Sequence, residues 1–352
     1  PKKRSESAAA GKSVAELLRD IARVQRGMEQ PKAGEIDVYV GIPFCRTRCS
    51  YCSFAAVDLK HGGKLTDRYV EAVTREMQLV RGDLSQYKVR GLYIGGGTPT
   101  ALTCAQLDRV IGTALECFPG AREFTVEAGR PDTLDDEKLR MLRAHGVDRV
   151  SLNPQTMNDE TLRRVGRDHT AEDIRRMYDE MHGMGFSVIN MDLILGLPGE
   201  TAEDVARTLD AIAELTPENL TVHTLAIKRA AALRQTGYHA DEEEAMRMVE
   251  LAAHRAREMG YLPYYLYRQK YMAGNLENVG YCKPGTASIY NVDIMEEIMP
   301  IAAFGAGAIS KWLYPAARRI ERAPNVKNIE QYIARVDEMA ERKRALWNEE
   351  GK

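Results

Sequence analysis

The chain of 352 residues is 44% hydrophobic and 28% charged, with 49 Lys+Arg against 51 Asp+Glu and a formal net charge of −2. That is length enough for one large α/β barrel and a smaller appendage, and the balanced charge excludes a global field drawing the chain to nucleic acid or anionic lipid. No apolar run is long enough to span a bilayer and no charged-then-apolar leader opens the sequence, so the expectation is a soluble cytoplasmic protein with no membrane partner.

Residues 1–34 are polar, rich in Lys, Ser and Ala, and read as a loose arm with one amphipathic piece from Val14 to Arg23. From Asp37 a rhythm of short apolar strand, turn and helix-period segment begins. The predicted strands are Asp37–Ile42, Gly91–Ile94, Glu123–Glu127, Arg149–Leu152, Ser187–Leu195 and Leu220–Ile227, with helices near 65–81, 104–117, 134–144, 171–184 and 201–214. Six strands alternating with helices predict parallel βαβ units, hence an α/β fold with a partial (β/α)6 TIM-like barrel over 35–234. The pattern then breaks. A helix near 241–259, an aromatic segment Tyr261–Tyr267, a Gly-rich stretch to Ser310 and a charged helix over 327–347 predict a C-terminal accessory α+β domain over 235–352.

Cysteines stand at 45, 49, 52, 104, 117 and 282. Three within eight residues make poor spacing for a secreted disulfide framework. Cys104 and Cys117 flank a helical stretch and read as small packing residues; Cys282 lies in a Gly/Pro-rich loop with no role assigned. The run Cys45-Arg-Thr-Arg-Cys49-Ser-Tyr-Cys52 follows the first strand, on the end of a parallel barrel where active sites sit. Thiolates so closely spaced wrap one soft metal centre, and three ligands on a [4Fe–4S] cube leave one iron open for catalysis. A zinc site normally brings paired Cys/His couples, and no second pair at suitable spacing follows downstream. The Cys-x3-Cys-x-aromatic-Cys pattern resembles the signature of the radical S-adenosylmethionine (SAM) superfamily. That resemblance places Tyr51 beside the adenine of SAM; plain packing is the alternative.

Further polar signals fall at strand ends. Gly95, Gly96 and Gly97, followed by Thr98, allow close backbone approach after the second strand, where backbone groups can meet the SAM amine. Glu127 ends the third strand, placed to accept from the SAM amine or a ribose hydroxyl. Gln155 follows the fourth, and Arg167 suits the SAM carboxylate, although Arg163, Arg164 and Asp168 beside it also fit an exposed helix face. Asp192 stands inside an apolar strand, where a carboxylate costs several kcal/mol without partners; ribose hydroxyls would serve. Ala226, after the sixth strand, is small enough to let adenosine approach.

With these residues assembled, the sequence resembles the oxygen-independent coproporphyrinogen III oxidase family, the HemN-like radical SAM proteins, over about Tyr39 to Ser310. The matching stretches are Tyr39–Cys45, Gly95–Thr100, Ser151–Gln155, Asp192–Pro198 and Phe304–Ser310. Tyr265–Lys270 and Gly274–Gly280 look like the HemZ branch. The chain departs from the family oxidase at Gly41, where that enzyme has histidine, and at Phe54, where it has a further cysteine and the haem-chaperone branch does not. The resemblance implies one-electron reduction of SAM by the cluster, hydrogen abstraction from a propionate of coproporphyrinogen III, and loss of CO2 and one electron to leave a vinyl group, twice over. It implies a tetrapyrrole substrate, a one-electron donor such as flavodoxin or ferredoxin, a cofactor role for Tyr39, and a second SAM with Ile309 as a candidate contact. Arg268 and Lys270 are candidates for the substrate carboxylates, against a reading as exposed loop cations. Tyr264, Tyr265 and Tyr267 are candidate walls of a flat pocket, against a reading as core. The rival readings are a radical methyl transfer on another substrate and a haem-binding chaperone.

Overall fold

The computed structural model describes residues 6–7 and 12–347 apart from 55, 229, 270, 271, 273–275 and 315–316. Eleven described strands form one sheet. They are β1 (Glu35–Ile42), β2 (Lys88–Gly96), β3 (Glu123–Gly129), β4 (Arg149–Leu152), β5 (Val188–Leu195), β6 (Asn219–Thr224), β7 (Leu262–Tyr267), β8 (Asn278–Cys282), β9 (Ile301–Phe304), β10 (Ile309–Tyr314) and β11 (Arg319–Pro324). Their order is β7-β8-β6-β5-β4-β3-β2-β1-β9-β10-β11. The six predicted strands are β1 to β6, paired in parallel in sequence order.

Two features differ from the sequence expectation. Residues 301–304 add a seventh parallel strand beside β1, with Ala303 opposite Tyr39. The strands after residue 235 also divide between both edges: β8 and β7 continue antiparallel beyond β6, and β10 and β11 beyond β9. Four residues of Ile-Ala-Ala-Phe carry too little period to announce a strand.

The longer helices are α1 (Val14–Arg26) before β1, then α2 (Thr66–Leu84), α3 (Cys104–Cys117), α4 (Asp136–Ala144), α5 (Asp159–Arg164), α6 (Ala171–Gly183), α7 (Ala202–Leu215), α8 (Glu242–Glu258) and α9 (Ile289–Met295) between strands, and α10 (Ile329–Ala334) and α11 (Val336–Trp347) after β11. Threonine opens three of them with a reciprocal capping box: Thr103 with Gln106, Thr170 with Asp173 and Thr201 with Asp204. Each box satisfies two otherwise orphaned N–H groups where the chain turns from strand to helix. The amphipathic piece expected in a loose arm is α1, docked on β7, with Leu17 and Ile21 buried, Val24 packed against the cluster of Tyr264 and Tyr265, and Gln25 donating to the Tyr264 carbonyl at 2.9 Å. Its apolar stripe is the reason; the sheet edge gives it a surface to cover. Among the described residues, no helix is long and apolar enough to cross a membrane.

The helix-facing residues of β5, Ile189, Met191 and Leu193, are buried, while Asn190, Asp192 and Ile194 between them stay partly open. That period of two assigns Asn190 and Asp192 to the inner face of the sheet. Tyr39 on β1, Tyr93 on β2, Glu127 on β3 and His223 on β6 are likewise the partly open positions of buried strands. The sheet thus carries a polar and aromatic inner face against an apolar outer one. α9 is held at the start of β3 by Glu123, which accepts from Ser288 Oγ at 2.8 Å and from the Ile289 and Tyr290 amides at 2.7 and 3.1 Å.

Candidate active site

The cysteine loop leaves β1 through the short strand Phe44–Cys45, which pairs with Val57–Asp58 and closes the loop on itself. Backbone bonds fix its middle: Ser50 N–H to the Val165 carbonyl at 3.0 Å, and Leu233 N–H to the Ser50 carbonyl at 2.8 Å. Each sulfur has a donor beside it. The Thr98 hydroxyl lies 3.6 Å from Cys45 Sγ, Arg130 Nη1 lies 4.0 Å from Cys49 Sγ, and the Phe54 backbone N–H serves Cys52. Burial pushes the Cys45 thiol up to about 11 and raises Cys52 as well, with those hydrogen bonds opposing. Positive metal is what converts such buried thiols to thiolates. Among the described residues, no three His, Cys, Asp or Glu converge as a single-ion site requires; the donor set is three thiols of one loop.

The glycine run is shaped by this loop. A Cβ on Gly97 would stand 2.6 Å from the Phe44 carbonyl oxygen and 3.0 Å from Cys45 Sγ, so only glycine leaves room beside the sulfur. Gly96 has φ +116, and Gly95 faces the Glu127 carboxyl. Glu127 accepts from Tyr93 OH at 2.6 Å and from the Gly96 amide at 3.0 Å. Burial raises its pKa to about 7 against those two bonds.

Arg167, expected from the sequence at the SAM carboxylate with an exposed helix face as the alternative, is buried. Its Nε and Nη2 lie 3.3 and 3.2 Å from Tyr51 OH, and Nη1 donates to the Asn153 carbonyl at 2.8 Å. The aromatic of the cysteine motif and the distant arginine are thus brought together. Among the described residues, no carboxylate lies within ion-pair distance of Arg167, which leaves a buried cation with neutral partners and suited to an incoming carboxylate.

Gln155 holds φ 68, an uncommon conformation for a residue with a side chain. Its backbone bridges to β5, accepting from Ile194 N–H and donating to the Asp192 carbonyl, both at 2.9 Å. Asp192 accepts from Asn190 Nδ2 at 2.8 Å, and His223 Nε2 stands 3.8 Å from its other oxygen. Burial would raise the Asp192 pKa, but His223, Asn190 and Thr221 together hold it below the ordinary value. Ala226 sits just past β6, bridged to Met272. Ile309 stands exposed on β10, at the other end of the parallel run from Ala226. Tyr39 stacks near Tyr93 and Tyr290, with ring centroids 6.1 and 6.3 Å away.

The substrate candidates fare unevenly. Arg268 is hydrogen-bonded to buried Glu277, so its charge is already matched. Lys270 lies outside the described residues. Tyr264 and Tyr265 are buried, but the Tyr265 ring stacks with Tyr267 and its hydroxyl lies 3.5 Å from Thr221 Oγ1, so both Tyr265 and Tyr267 face the inner side, where Tyr267 meets His223 Nδ1 at 3.1 Å. Sequence reasoning missed His223, Tyr93, Tyr290 and Arg130. For His223 the signal was present, since Thr221 and His223 alternate with apolar neighbours on a strand that has an acid across from it. His169, also missed, is buried with neither ring nitrogen hydrogen-bonded, and burial first, then Arg167, pulls its pKa down to about 4.

Residues 39–212 match the Radical SAM superfamily. The chain is 42% identical over 317 residues to the oxygen-independent coproporphyrinogen-III oxidase-like protein HemZ of Bacillus subtilis, covering 88% of this chain and 63% of that protein. It is 30% identical over 303 residues to the heme chaperone HemW of Lactococcus lactis, covering 84% of this chain and 76% of the chaperone. Its fold is similar to that of coproporphyrinogen III oxidase (HemN) from Escherichia coli, a radical SAM enzyme, with TM-score 0.71 and 25% identity over 91% of this chain and 73% of that one. The chain therefore spans less than two thirds of the length of HemZ.

Proposed function

The chain belongs to the radical SAM superfamily, among its HemN-like members, and from that premise we propose that it converts coproporphyrinogen III to protoporphyrinogen IX by oxygen-independent oxidative decarboxylation. Membership implies a [4Fe–4S] cluster and SAM; Cys45, Cys49 and Cys52 are the ligands this reading assigns. When bound, the pair supplies a carbon-centred radical that takes a hydrogen atom from the substrate. The chain's own groups do the rest. Arg167 pairs the SAM carboxylate, Glu127 accepts from its amine or ribose, and Asp192, kept ionised by His223, accepts from ribose hydroxyls.

The observation that carries the substrate class is the extent of the likeness to the oxidase-like relative, which runs well past the superfamily match into β7 and β8. These strands bring Tyr267 to the inner face beside His223. Each of two propionates would lose a hydrogen atom, CO2 and one further electron, so an acceptor for that electron is part of the reaction, as is a donor such as flavodoxin or ferredoxin. The test is anaerobic incubation of reconstituted protein with SAM, coproporphyrinogen III and a flavodoxin or ferredoxin supplied in both reduced and oxidised forms, as donor and acceptor. The expected result is 5′-deoxyadenosine together with successive losses of formic-acid mass from the porphyrin. 5′-Deoxyadenosine with an unchanged porphyrin removes the substrate assignment and leaves the cofactors standing.

One observation favours a second reading as a haem carrier. Phe54, where the family oxidase has a further cysteine, is 67% exposed two residues beyond Cys52. A carrier binds haem and passes it to an acceptor without consuming SAM, and the same incubation separates the two.

A further inference from the structure

Arg130 follows Gly129 at the tip of β3, and only 3% of its surface is exposed. Asp132, on the turn Pro131–Thr133, takes the fork of its guanidinium, with Nε and Nη2 each 2.9 Å from a carboxylate oxygen. This leaves Nη1 pointing into the cysteine loop. There it meets the Thr47 carbonyl and hydroxyl at 3.2 and 3.0 Å and Cys49 Sγ at 4.0 Å. The arrangement is over-determined for a simple ion pair: the carboxylate orients the cation, and Thr47 fixes the one nitrogen that faces sulfur.

The charge around Cys49 is also lopsided. Asp132 is shared between Arg130 and Arg46, whose Nε lies 3.6 Å away. Arg167 is buried on the Tyr51 side of the same loop without a carboxylate among the described residues. Three guanidiniums thus answer to one carboxylate. Hydrogen bonds to ligand sulfurs and nearby positive charge favour the reduced, more negative form of an iron–sulfur cluster, and the effect is strongest where water is excluded. Among the described residues, the hydrogen-bond donors at the Cys45 and Cys52 sulfurs are neutral, Thr98 and the Phe54 amide, with the charges of Arg130 and of Arg48 and Arg167 acting on them without a hydrogen bond.

We propose that Arg130, oriented by Asp132, is a positioning residue that raises the reduction potential of the cluster through the Cys49 sulfur. The inference rests on the reading that Cys45, Cys49 and Cys52 hold that cluster. It makes the cluster's affinity for an electron a property of the β3 tip and not of the cysteine loop alone.

The experiment compares the full chain with Arg130→Met, Arg130→Lys and Asp132→Asn, each reconstituted anaerobically, by iron content and by potentiometric reduction followed by electron paramagnetic resonance, without SAM or porphyrinogen. Arg130→Met should need a stronger reductant, with at least a tenfold loss in the equilibrium constant for reduction, or about 60 mV for one electron. Arg130→Lys keeps the charge without the fork and should lie between it and the wild type. Asp132→Asn leaves the arginine less neutralised and should shift the other way. An Arg130→Met protein that loads iron fully and reduces at the wild-type potential overturns the proposal. If Arg130→Met takes up no iron, an Asp132→Asn potential at or below the wild-type value overturns it instead. A wild-type chain that takes up no iron–sulfur cluster at all removes the cluster reading itself, which is a different result from a loaded chain indifferent to Arg130.

Discussion

Replacing Lys343 with methionine removes the ammonium that faces Glu76 in the packing between α2 and α11. Both side chains are fully buried. Glu76 also accepts from the Gly305 amide at 2.9 Å, Asn325 Nδ2 at 2.8 Å and Tyr332 OH at 2.6 Å. In Lys343→Met three neutral donors remain around a carboxylate that has lost its counter-charge. Breaking one side of such a pair costs about 3–5 kcal/mol. At about 2.1 cal/mol/K per residue, the unfolding entropy of 352 residues is about 0.7 kcal/mol/K, so Tm should fall by about 4–7 °C. Thermal unfolding followed by circular dichroism reads this directly. Adding Glu76→Gln removes the stranded charge and should restore part of the loss. A Lys343→Met protein that melts within about 1 °C of the wild type, or a double variant less stable than the single one, refutes the reasoning.

Three other outcomes follow from the site. Glu127 has its folded-state pKa raised to about 7 from 4.5, so its contribution to stability is present below 4.5 and lost as pH rises through 7. Glu127→Gln should therefore gain on the wild type by about 3 kcal/mol between pH 4 and pH 8 in urea unfolding, and parallel pH profiles would contradict the assignment. Arg167→Met should weaken SAM binding by about 10–100-fold, the loss of hydrogen bonds to a charged group, as read by equilibrium dialysis; unchanged affinity would mean that the carboxylate binds elsewhere. Gly97→Ala places a methyl against the Phe44 carbonyl and Cys45 Sγ, and should lower iron content after reconstitution while far-ultraviolet circular dichroism stays native.

How far the sequence carried depends on the range of the interaction. The six parallel strands were legible because each is a local apolar run followed by a helix-period segment, and three of the helices open on a capping threonine. Glu127 and Asp192 were legible as acids at or inside such strands. Residues whose meaning lies in a partner far along the chain were not. Arg167 was legible as a carboxylate-binding cation, but an exposed helix face stayed open beside that reading because nothing local says that Tyr51, 116 residues earlier, receives it. Arg268 read as a free cation because Glu277, which matches it, looks like any loop acid. Arg130 was visible beside Glu127, yet its approach to Cys49 depends on the loop folding back over the β3 tip. The strand 301–304 had the weakest signal and the longest reach, since it finds its place only against β1.

That last pairing has a consequence for how the chain is made. β1 emerges from the ribosome more than 250 residues before β9, its neighbour on that side. At the ~5–20 residues per second of translation, its outer edge waits on the order of tens of seconds with unpaired amides and carbonyls. An apolar strand left open in this way is a template for pairing with another chain, and closing it late is slow because the contact is so distant in sequence. Yield of folded protein should therefore depend on growth temperature and on chaperones that hold nascent chains, more than the stability of the finished molecule would suggest.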